Sequence, residues 1–135
     1  MEIKEECVEV LNTSKIVCEE NKRKIVFNNL SNSNISKIKV DGCQITEGIR
    51  CDYLITFNND EHFVELKGKD VTHAFKQLIR TINLLKNSSC TNRVSYVISS
   101  RSPLTSPEIQ VQRLKFIKKY QSKLIVKNSN YQVSI

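Results

Sequence analysis

A run of apolar residues spaced three and four apart follows Asp70 and limits the fold more than any other part of the chain. Its members are Val71, Ala74, Phe75, Leu78, Ile79, Ile82 and Leu85. This spacing predicts an amphipathic helix with Asp70 as its N-cap. Such a helix must bury its apolar face, and the β-rich segments on either side of it can form the sheet on which it packs.

Two β-rich segments precede that helix and predict a β-hairpin. Cys51 to Phe57 and His62 to Lys67 are rich in apolar and β-branched residues, and Asn58 to Glu61 has the composition of a turn. Charged residues nevertheless interrupt both strands. A charge inside an otherwise buried strand has a desolvation cost, which calls for a compensating role.

The length of the turn decides which charged residues meet. If Asn58 and Asn59 form a two-residue turn, Asp52 lies directly opposite Glu65, with Cβ atoms ~5 Å apart. A four-residue turn instead places Asp52 opposite Lys67, with Glu65 as its diagonal neighbour. An odd-length turn or a bulge shifts the register by one residue and removes the direct facing.

The remaining elements complete a mixed α/β pattern within one domain, residues 1–135. We expect, in order, a weak helix at Ile3–Leu11, strands at Lys24–Phe27 and Ser36–Asp41, the 51–67 hairpin, the helix from Asp70, a strand at Arg93–Ser99, a helix that runs from Ser106, its predicted N-cap, to Tyr120, and a last hairpin of Leu124–Val126 with Tyr131–Ile135. The predicted class is therefore α/β with a mixed sheet.

Charge points to a polyanionic partner. Twenty-one Lys and Arg stand against 14 Asp and Glu, a formal net charge of +7. This excess attracts nucleic acid, although a solvated basic surface has the same composition.

No stretch approaches the ~20 apolar residues of a membrane span, and the first residues do not form a secretory signal. We therefore expect a cytoplasmic protein without membrane contact. The five cysteines contain no CxxC pair and are expected to be free thiols.

Asp52, Glu65 and Lys67 together predict a metal-dependent site. Two carboxylates held this close repel each other unless a cation lies between them. Mg²⁺ suits this position because it prefers oxygen ligands and accepts one or two carboxylates, with the backbone carbonyl of Leu66 as a further ligand. Lys67, two residues beyond Glu65, points to the same side of its strand and can orient an attacking water.

These residues resemble the PD-(D/E)xK nuclease superfamily, whose members include restriction endonucleases and Holliday junction resolvases. The match covers Arg50–Ile55, Phe63–Gly68 and the following helix, with Cys51 in place of the usual proline. The resemblance implies a restriction-endonuclease-like core of helix, three strands, helix and strand, to which the last helix and strands are additions. It also implies Asp52 and Glu65 as metal ligands and Lys67 as the catalytic lysine.

The implied activity is that of an endonuclease that hydrolyses phosphodiester bonds of DNA, RNA not being excluded, by attack of a metal-activated water. Mg²⁺ is the expected cofactor and Mn²⁺ is expected to substitute for it. A nuclease this small often works as a homodimer, which makes self-association a further expectation.

Other candidates lie near this set. Gln77 is predicted to contact the site from the helix, as a glutamine does in many members of the superfamily, with His73 as a weaker candidate. The basic residues predicted to contact nucleic acid are Lys69, Lys76 and Arg80, with Arg101, Arg113, Lys115, Lys118 and Lys119 as further candidates. An additional acidic ligand is open among Glu5, Glu6, Glu9, Glu19 and Glu20.

Three alternatives remain open at this stage. The charged residues can form a cross-strand ion pair on a solvated sheet face. The domain can be catalytically idle and bind nucleic acid or a protein partner. A thiol enzyme that uses Cys51 or Cys90 with His62 or His73 has no recognisable local motif to support it.

Overall fold

The computed structural model describes residues 1–67, 70–100 and 104–135. Their elements, in chain order, are a 3-10 turn at Glu5–Cys7, β1 (Val8–Leu11), β2 (Lys15–Glu20), β3 (Arg23–Asn28), β4 (Ile35–Lys39), β5 (Tyr53–Phe57), β6 (Asp60–Lys67), α1 (Val71–Leu85), β7 (Asn92–Ser99), α2 (Ser106–Tyr120), β8 (Lys123–Asn128) and β9 (Asn130–Ser134).

The strands form two sheets. A six-stranded sheet has the order β1-β4-β5-β6-β7-β8. Its neighbours from β1 to β6 are antiparallel, whereas β6, β7 and β8 run parallel, with α1 and α2 as the connections that parallel strands require. The second sheet has the order β2-β3-β9. The predicted α/β class with a mixed sheet is therefore confirmed.

Two apolar cores separate three layers. α1 and α2 pack on one face of the six-stranded sheet, where Leu78 and Phe116 belong to the same core as Phe63 of β6. The small sheet covers the other face, and Val64 of β6 belongs to the core between the sheets. Because side chains alternate along a strand, Glu65 shares the helix-facing side with Phe63.

The two helices begin where the sequence places their caps, with one small difference. Asp70 is the N-cap of α1, and its carboxylate accepts the His73 N–H at 2.9 Å. α2 spans the predicted residues, but its N-cap is Thr105 rather than Ser106. Thr105 and Glu108 form a reciprocal capping box, which satisfies the first N–H groups of the helix.

The helix predicted at Ile3–Leu11 is wrong. A short 3-10 turn leads into β1, which pairs antiparallel with β4. The alternation of Val8, Glu9 and Val10 suits an edge strand, and pairing with β4 overrides the weak helical spacing. Among residues 1–67 there is consequently no α-helix, a departure from the predicted nuclease core.

The prediction that all five cysteines are free thiols is also wrong. Cys7 and Cys43 form a disulfide across 36 residues, which ties the start of the chain to the segment between β4 and β5. Cys18, Cys51 and Cys90 are free. An odd number of cysteines gave no indication of which two would pair.

The predicted last hairpin is wrong as well, since β8 pairs with β7 and β9 pairs with β3. The chain crosses from one sheet to the other at Ser129, which has a φ of 60°. Its N–H donates to the Ser99 carbonyl at 2.7 Å, and its carbonyl accepts the Lys24 N–H at 2.8 Å. Ser129 therefore connects the two sheets through its backbone.

In the described parts of the chain, no helix has the length and apolar character of a membrane span.

Candidate active site

The hairpin between β5 and β6 positions the predicted site. Phe57 pairs with Asp60, so Asn58 and Asn59 form a two-residue turn. Asn58 has a φ of 53°, a left-handed conformation that asparagine tolerates. The shorter of the two predicted turns is therefore present, and the ladder continues in register as far as Tyr53 and Val64.

The register changes at Asp52, just before β5 begins. The Asp52 N–H donates to the carbonyl of Val64 at 3.0 Å, although Val64 already pairs with Tyr53. Two residues therefore face one, as in a β-bulge. The direct facing of Asp52 and Glu65 that a regular two-residue hairpin predicts is lost, because the bulge turns Asp52 toward the end of the strand.

The bulge gives the Asp52 carboxylate a different partner. Its Oδ2 accepts the backbone N–H of Leu66 at 2.8 Å, and the residue is only 8% exposed. The carboxylate thus replaces the carbonyl that a continuing β5 would offer to β6. In an antiparallel ladder the N–H and C=O of one residue point the same way, so the Leu66 carbonyl also points toward this open end of β5.

Glu65 is buried beside Asp52 without a full set of partners. It is 2% exposed, and its Oε1 has no hydrogen-bond partner among the described residues. The pKa of Glu65 is raised to about 9, chiefly by burial and then by the charge of Asp52, while Lys67 opposes the rise. When it is protonated, Glu65 can donate a hydrogen bond to the neighbouring Asp52 carboxylate.

Asp52 titrates at a lower pH than its neighbour. Its pKa is raised to about 6, chiefly by burial and in part by repulsion from Glu20 and Asp41, while the hydrogen bond from Leu66 limits the rise. The two carboxyl groups therefore hold protons well above the ordinary range for acids, as expected for a pair in a low-dielectric setting without a counter-ion.

The pair fits a divalent cation. An orphaned, buried carboxylate oxygen next to a second carboxylate is costly without a positive charge between them. Asp52, Glu65 and the Leu66 carbonyl would supply the hard oxygen ligands that Mg²⁺ prefers. Among the described residues no three His, Cys, Asp or Glu side chains converge on one point, so the third ligand from the protein would be this carbonyl.

Lys67 lies close enough to lower the pKa of Glu65 but forms no ion pair with it among the described residues. Its side chain is half-buried at the end of β6. The ammonium group is therefore not neutralised by the acids, and the cross-strand salt bridge that the sequence left open is not observed. Gly68 and Lys69 lie outside the described residues.

Two side chains of α1 hold the segment that leads into Asp52. Gln77 donates to the Arg50 carbonyl at 3.0 Å. Thr81 is fully buried and accepts the Cys51 N–H at 2.9 Å. Gln77 therefore contacts the backbone next to the site rather than the carboxylates. Thr81 was not predicted, although a hydroxyl within the apolar run was the signal that could have indicated it.

The predicted basic contacts have different surroundings. Arg80 donates to the carbonyls of Glu47 and Ile49 at 3.0 and 2.7 Å, and its guanidinium fills the space beside Gly48. Arg80 therefore holds the loop at residues 47–49 through these hydrogen bonds. Lys76 is exposed on α1, and Arg101 lies outside the described residues.

Of the five acids considered as additional ligands, two come near the site. Glu19 and Glu20, at the end of β2, line a cavity of about 170 Å³ with Lys39, Asp41, Asp52 and Tyr53. Glu6 and Glu9 line a different depression, and Glu5 lies in the 3-10 turn. The nearby acid therefore comes from the small sheet and not from a first helix.

The thiol alternative finds no support in the geometry. Burial raises the pKa of the Cys51 thiol, and Cys90 donates to the Asn92 carbonyl at 3.3 Å. His62 bonds to the Tyr96 hydroxyl at 2.9 Å through Nδ1. Neither cysteine has a hydrogen bond to a histidine among the described residues.

No protein-family model matches the chain, and neither a curated protein nor a solved structure does. The resemblance to PD-(D/E)xK nucleases consequently rests on Asp52 before β5 and on Glu65 and Lys67 in β6. The absence of an α-helix before β2, in the described part of the chain, is the main departure from that pattern.

Proposed function

We propose that the protein is a metal-dependent nuclease of the PD-(D/E)xK type that hydrolyses phosphodiester bonds of DNA. The observation that carries the proposal is the buried, incompletely paired Glu65 carboxyl group beside Asp52, next to Lys67, which forms no ion pair among the described residues. A domain that only binds nucleic acid gains nothing from two buried acids, because they repel the phosphate.

Asp52, Glu65 and the Leu66 carbonyl would hold Mg²⁺, and Mn²⁺ would serve in its place. When bound, the ion supplies positive charge that favours deprotonation of water and offsets charge on the phosphate. Lys67 can donate a hydrogen bond that orients the attacking water, and its charge favours the pentavalent transition state. Gln77 acts as a positioning residue, because it holds the backbone just before Asp52.

The test is cleavage of supercoiled and linear DNA by the purified chain with Mg²⁺, Mn²⁺ or EDTA. We expect cleavage with either metal and none in EDTA. Asp52→Asn and Glu65→Gln should abolish it, whereas Asp60→Asn, at the other end of β6, should not. Cleavage in EDTA, or undiminished cleavage by both site variants, would overturn the proposal.

A second readout does not depend on turnover. Mg²⁺ should raise the melting temperature of the wild-type chain through preferential binding to the folded state, and the Glu65→Gln variant should lose most of this effect. An intracellular location stays a prediction, and the Cys7–Cys43 disulfide is the feature that tells against it, since such bonds are rare in the cytosol.

A further inference from the structure

A group of cations lies at the edge of the molecule next to the carboxylate pair. β2 and β3 are joined by a tight turn at Asn21 and Lys22, which have φ values of 47° and 68°. Glu19 and Glu20, directly before this turn, line the same cavity as Asp52. Lys22, Arg23 and Lys24 therefore emerge beside the proposed active site.

Contacts with the six-stranded sheet fix this turn at the carboxyl ends of the parallel strands. Arg23 donates to the Ser100 hydroxyl at 3.0 Å, just beyond β7. The Lys24 N–H donates to the Ser129 carbonyl at 2.8 Å, just beyond β8. Lys67, at the end of β6, is in register with Ser99 of β7, so the catalytic strand ends at the same edge.

Lys127 belongs to the same group. It is exposed near the end of β8, and its ammonium lies 5.5 Å from the centre of the Tyr131 ring.

 This contact holds the cation over the ring face. The ion pairs of the described residues are Arg50–Asp41 and Arg93–Glu61, so none of these four basic side chains is neutralised by an acid.

We propose that Lys22, Arg23, Lys24 and Lys127, here called the basic edge, bind the phosphate backbone of double-stranded DNA beside the carboxylate pair. The inference rests on the proposed nuclease function and names the form of its substrate. Fixed, unpaired cations next to a site for phosphodiester chemistry can hold the backbone while the acids and Lys67 act on one phosphate.

The aromatic residues favour a duplex over a single strand. None of the nine Phe and Tyr side chains is among the exposed large hydrophobic residues. Proteins that bind single strands without sequence preference commonly stack bases on exposed aromatic rings. The basic edge offers charge without such a stacking surface, which suits a backbone whose bases are already paired.

The test is fluorescence anisotropy with a labelled duplex of roughly 20 base pairs, measured in EDTA so that no cleavage occurs. The triple variant Lys22→Ala/Lys24→Ala/Lys127→Ala removes three charges from the basic edge and leaves Arg23 on Ser100. The matched control, Lys15→Ala/Lys86→Ala/Lys123→Ala, removes three exposed charges at the opposite ends of the strands, where β2 and β8 begin and α1 ends. Both variants must show the circular dichroism spectrum of the wild type.

We expect the basic-edge variant to bind at least about tenfold more weakly, with a salt dependence reduced by about one unit of slope per lysine. The control should change little. Equal weakening in both variants, or none in either, would overturn the inference. Tighter binding of the corresponding single strand than of the duplex would overturn the choice of substrate.

Cleavage assays separate this inference from the proposed function. If wild-type protein cleaves DNA and the basic-edge variant cleaves subsaturating DNA equally well, the inference that the basic edge binds DNA is wrong and the proposed nuclease function is unaffected. If the duplex binds through the basic edge but no metal supports cleavage, the proposed nuclease function is wrong and the inferred binding surface is unaffected.

Discussion

Glu61 and Glu65 lie on one strand, face the same side of the sheet and are 4% and 2% exposed. Glu61 is fully partnered: Oε1 accepts Arg93 Nε at 2.9 Å, and Oε2 accepts the Asn87 N–H at 2.8 Å. In the described part of the chain, one oxygen of Glu65 has no hydrogen-bond partner, and a second carboxyl group lies beside it. Two equally buried glutamates of β6 therefore differ, because only Glu61 has a cationic partner among the described residues.

The end of β6 that contains Glu61 therefore contributes to stability, whereas the end that contains Glu65 is available for the proposed chemistry. The Glu61–Arg93 pair also joins the ends of the two helices, because Arg93 donates to the carbonyls of Tyr120 and Asn87. Among the described residues, no basic side chain pairs with Glu65 as Arg93 does with Glu61. A metal cation bound from solution would supply that positive charge, so Glu61 and Glu65 should respond differently to the same substitution.

The largest expected difference is in cleavage. Glu65→Gln should lower the rate of DNA cleavage by at least about a thousandfold, because it removes a charged ligand of the proposed metal. Glu61→Gln should retain the wild-type rate per folded molecule, since Glu61 lies at the other end of β6. Cleavage assays at a temperature where both variants are folded would show this, and equal losses would end the distinction.

Stability should show the reverse order. Glu61→Gln leaves the buried Arg93 guanidinium without its counter-charge and should lower the free energy of unfolding by about 3 kcal/mol. Glu65→Gln, measured without metal, should be neutral or stabilising, because a neutral amide replaces an acid that burial disfavours in its charged form. Urea unfolding of both variants measures these changes.

His62 and Glu65, which both lie in β6, should change the stability of the protein with pH in opposite directions. Burial lowers the pKa of His62 to about 4 and raises that of Glu65 to about 9. The unfolded chain binds the extra proton at His62, so stability rises with pH from about 4 to about 6.5 on account of His62. At Glu65 the folded chain binds the extra proton, so stability falls as pH rises from about 4.5 to about 9.

In EDTA, therefore, Glu65→Gln should gain stability relative to the wild type as pH rises above 6, by up to about 1.4 kcal/mol per pH unit. Urea unfolding at several pH values between 5 and 8.5 would show diverging curves. Curves that stay parallel over this range would mean that the pKa of Glu65 is not raised in the folded chain.

The smallest expected effect concerns the support for Asp52. Thr81→Val leaves the buried Cys51 N–H without its acceptor and should cost about 1–2 kcal/mol of stability. Thr81→Ser keeps the hydroxyl and is the matched control. If the segment before Asp52 is positioned by Thr81, the valine variant should also lose some cleavage at saturating metal, whereas the serine variant should recover it.

Local patterns predicted the parts of the fold that are decided locally. The helix spacing after Asp70 and the paired asparagines at Asn58 were sufficient for α1 and for the β5–β6 turn. The partner of β9 was not predictable, because Asn28 and Gln132 meet from 104 residues apart. The disulfide had no local signal, and the alternation within Val8–Leu11 was too short to distinguish an edge strand from the weak helical spacing.

The candidate site was predictable in its members but not in its geometry. Asp52, Glu65 and Lys67 stand out as charges in apolar strands, and hairpin parity brings them together. The bulge at Asp52 depends on how the incoming segment is held by Gln77 and Thr81, which lie on another element. That tertiary constraint is what changed the predicted direct facing into a hydrogen bond with the Leu66 backbone.

The parallel pairing of β9 with β3 has a consequence for how the protein is made. A ribosome completes β2 and β3 long before β9, so the small sheet lacks its third strand until β9 has been made. Until then the core between the sheets stays partly uncovered, with an unpaired strand edge along β3. Closing such a long-range contact is slow, so chaperone binding or mispairing can compete with the addition of β9 to the small sheet.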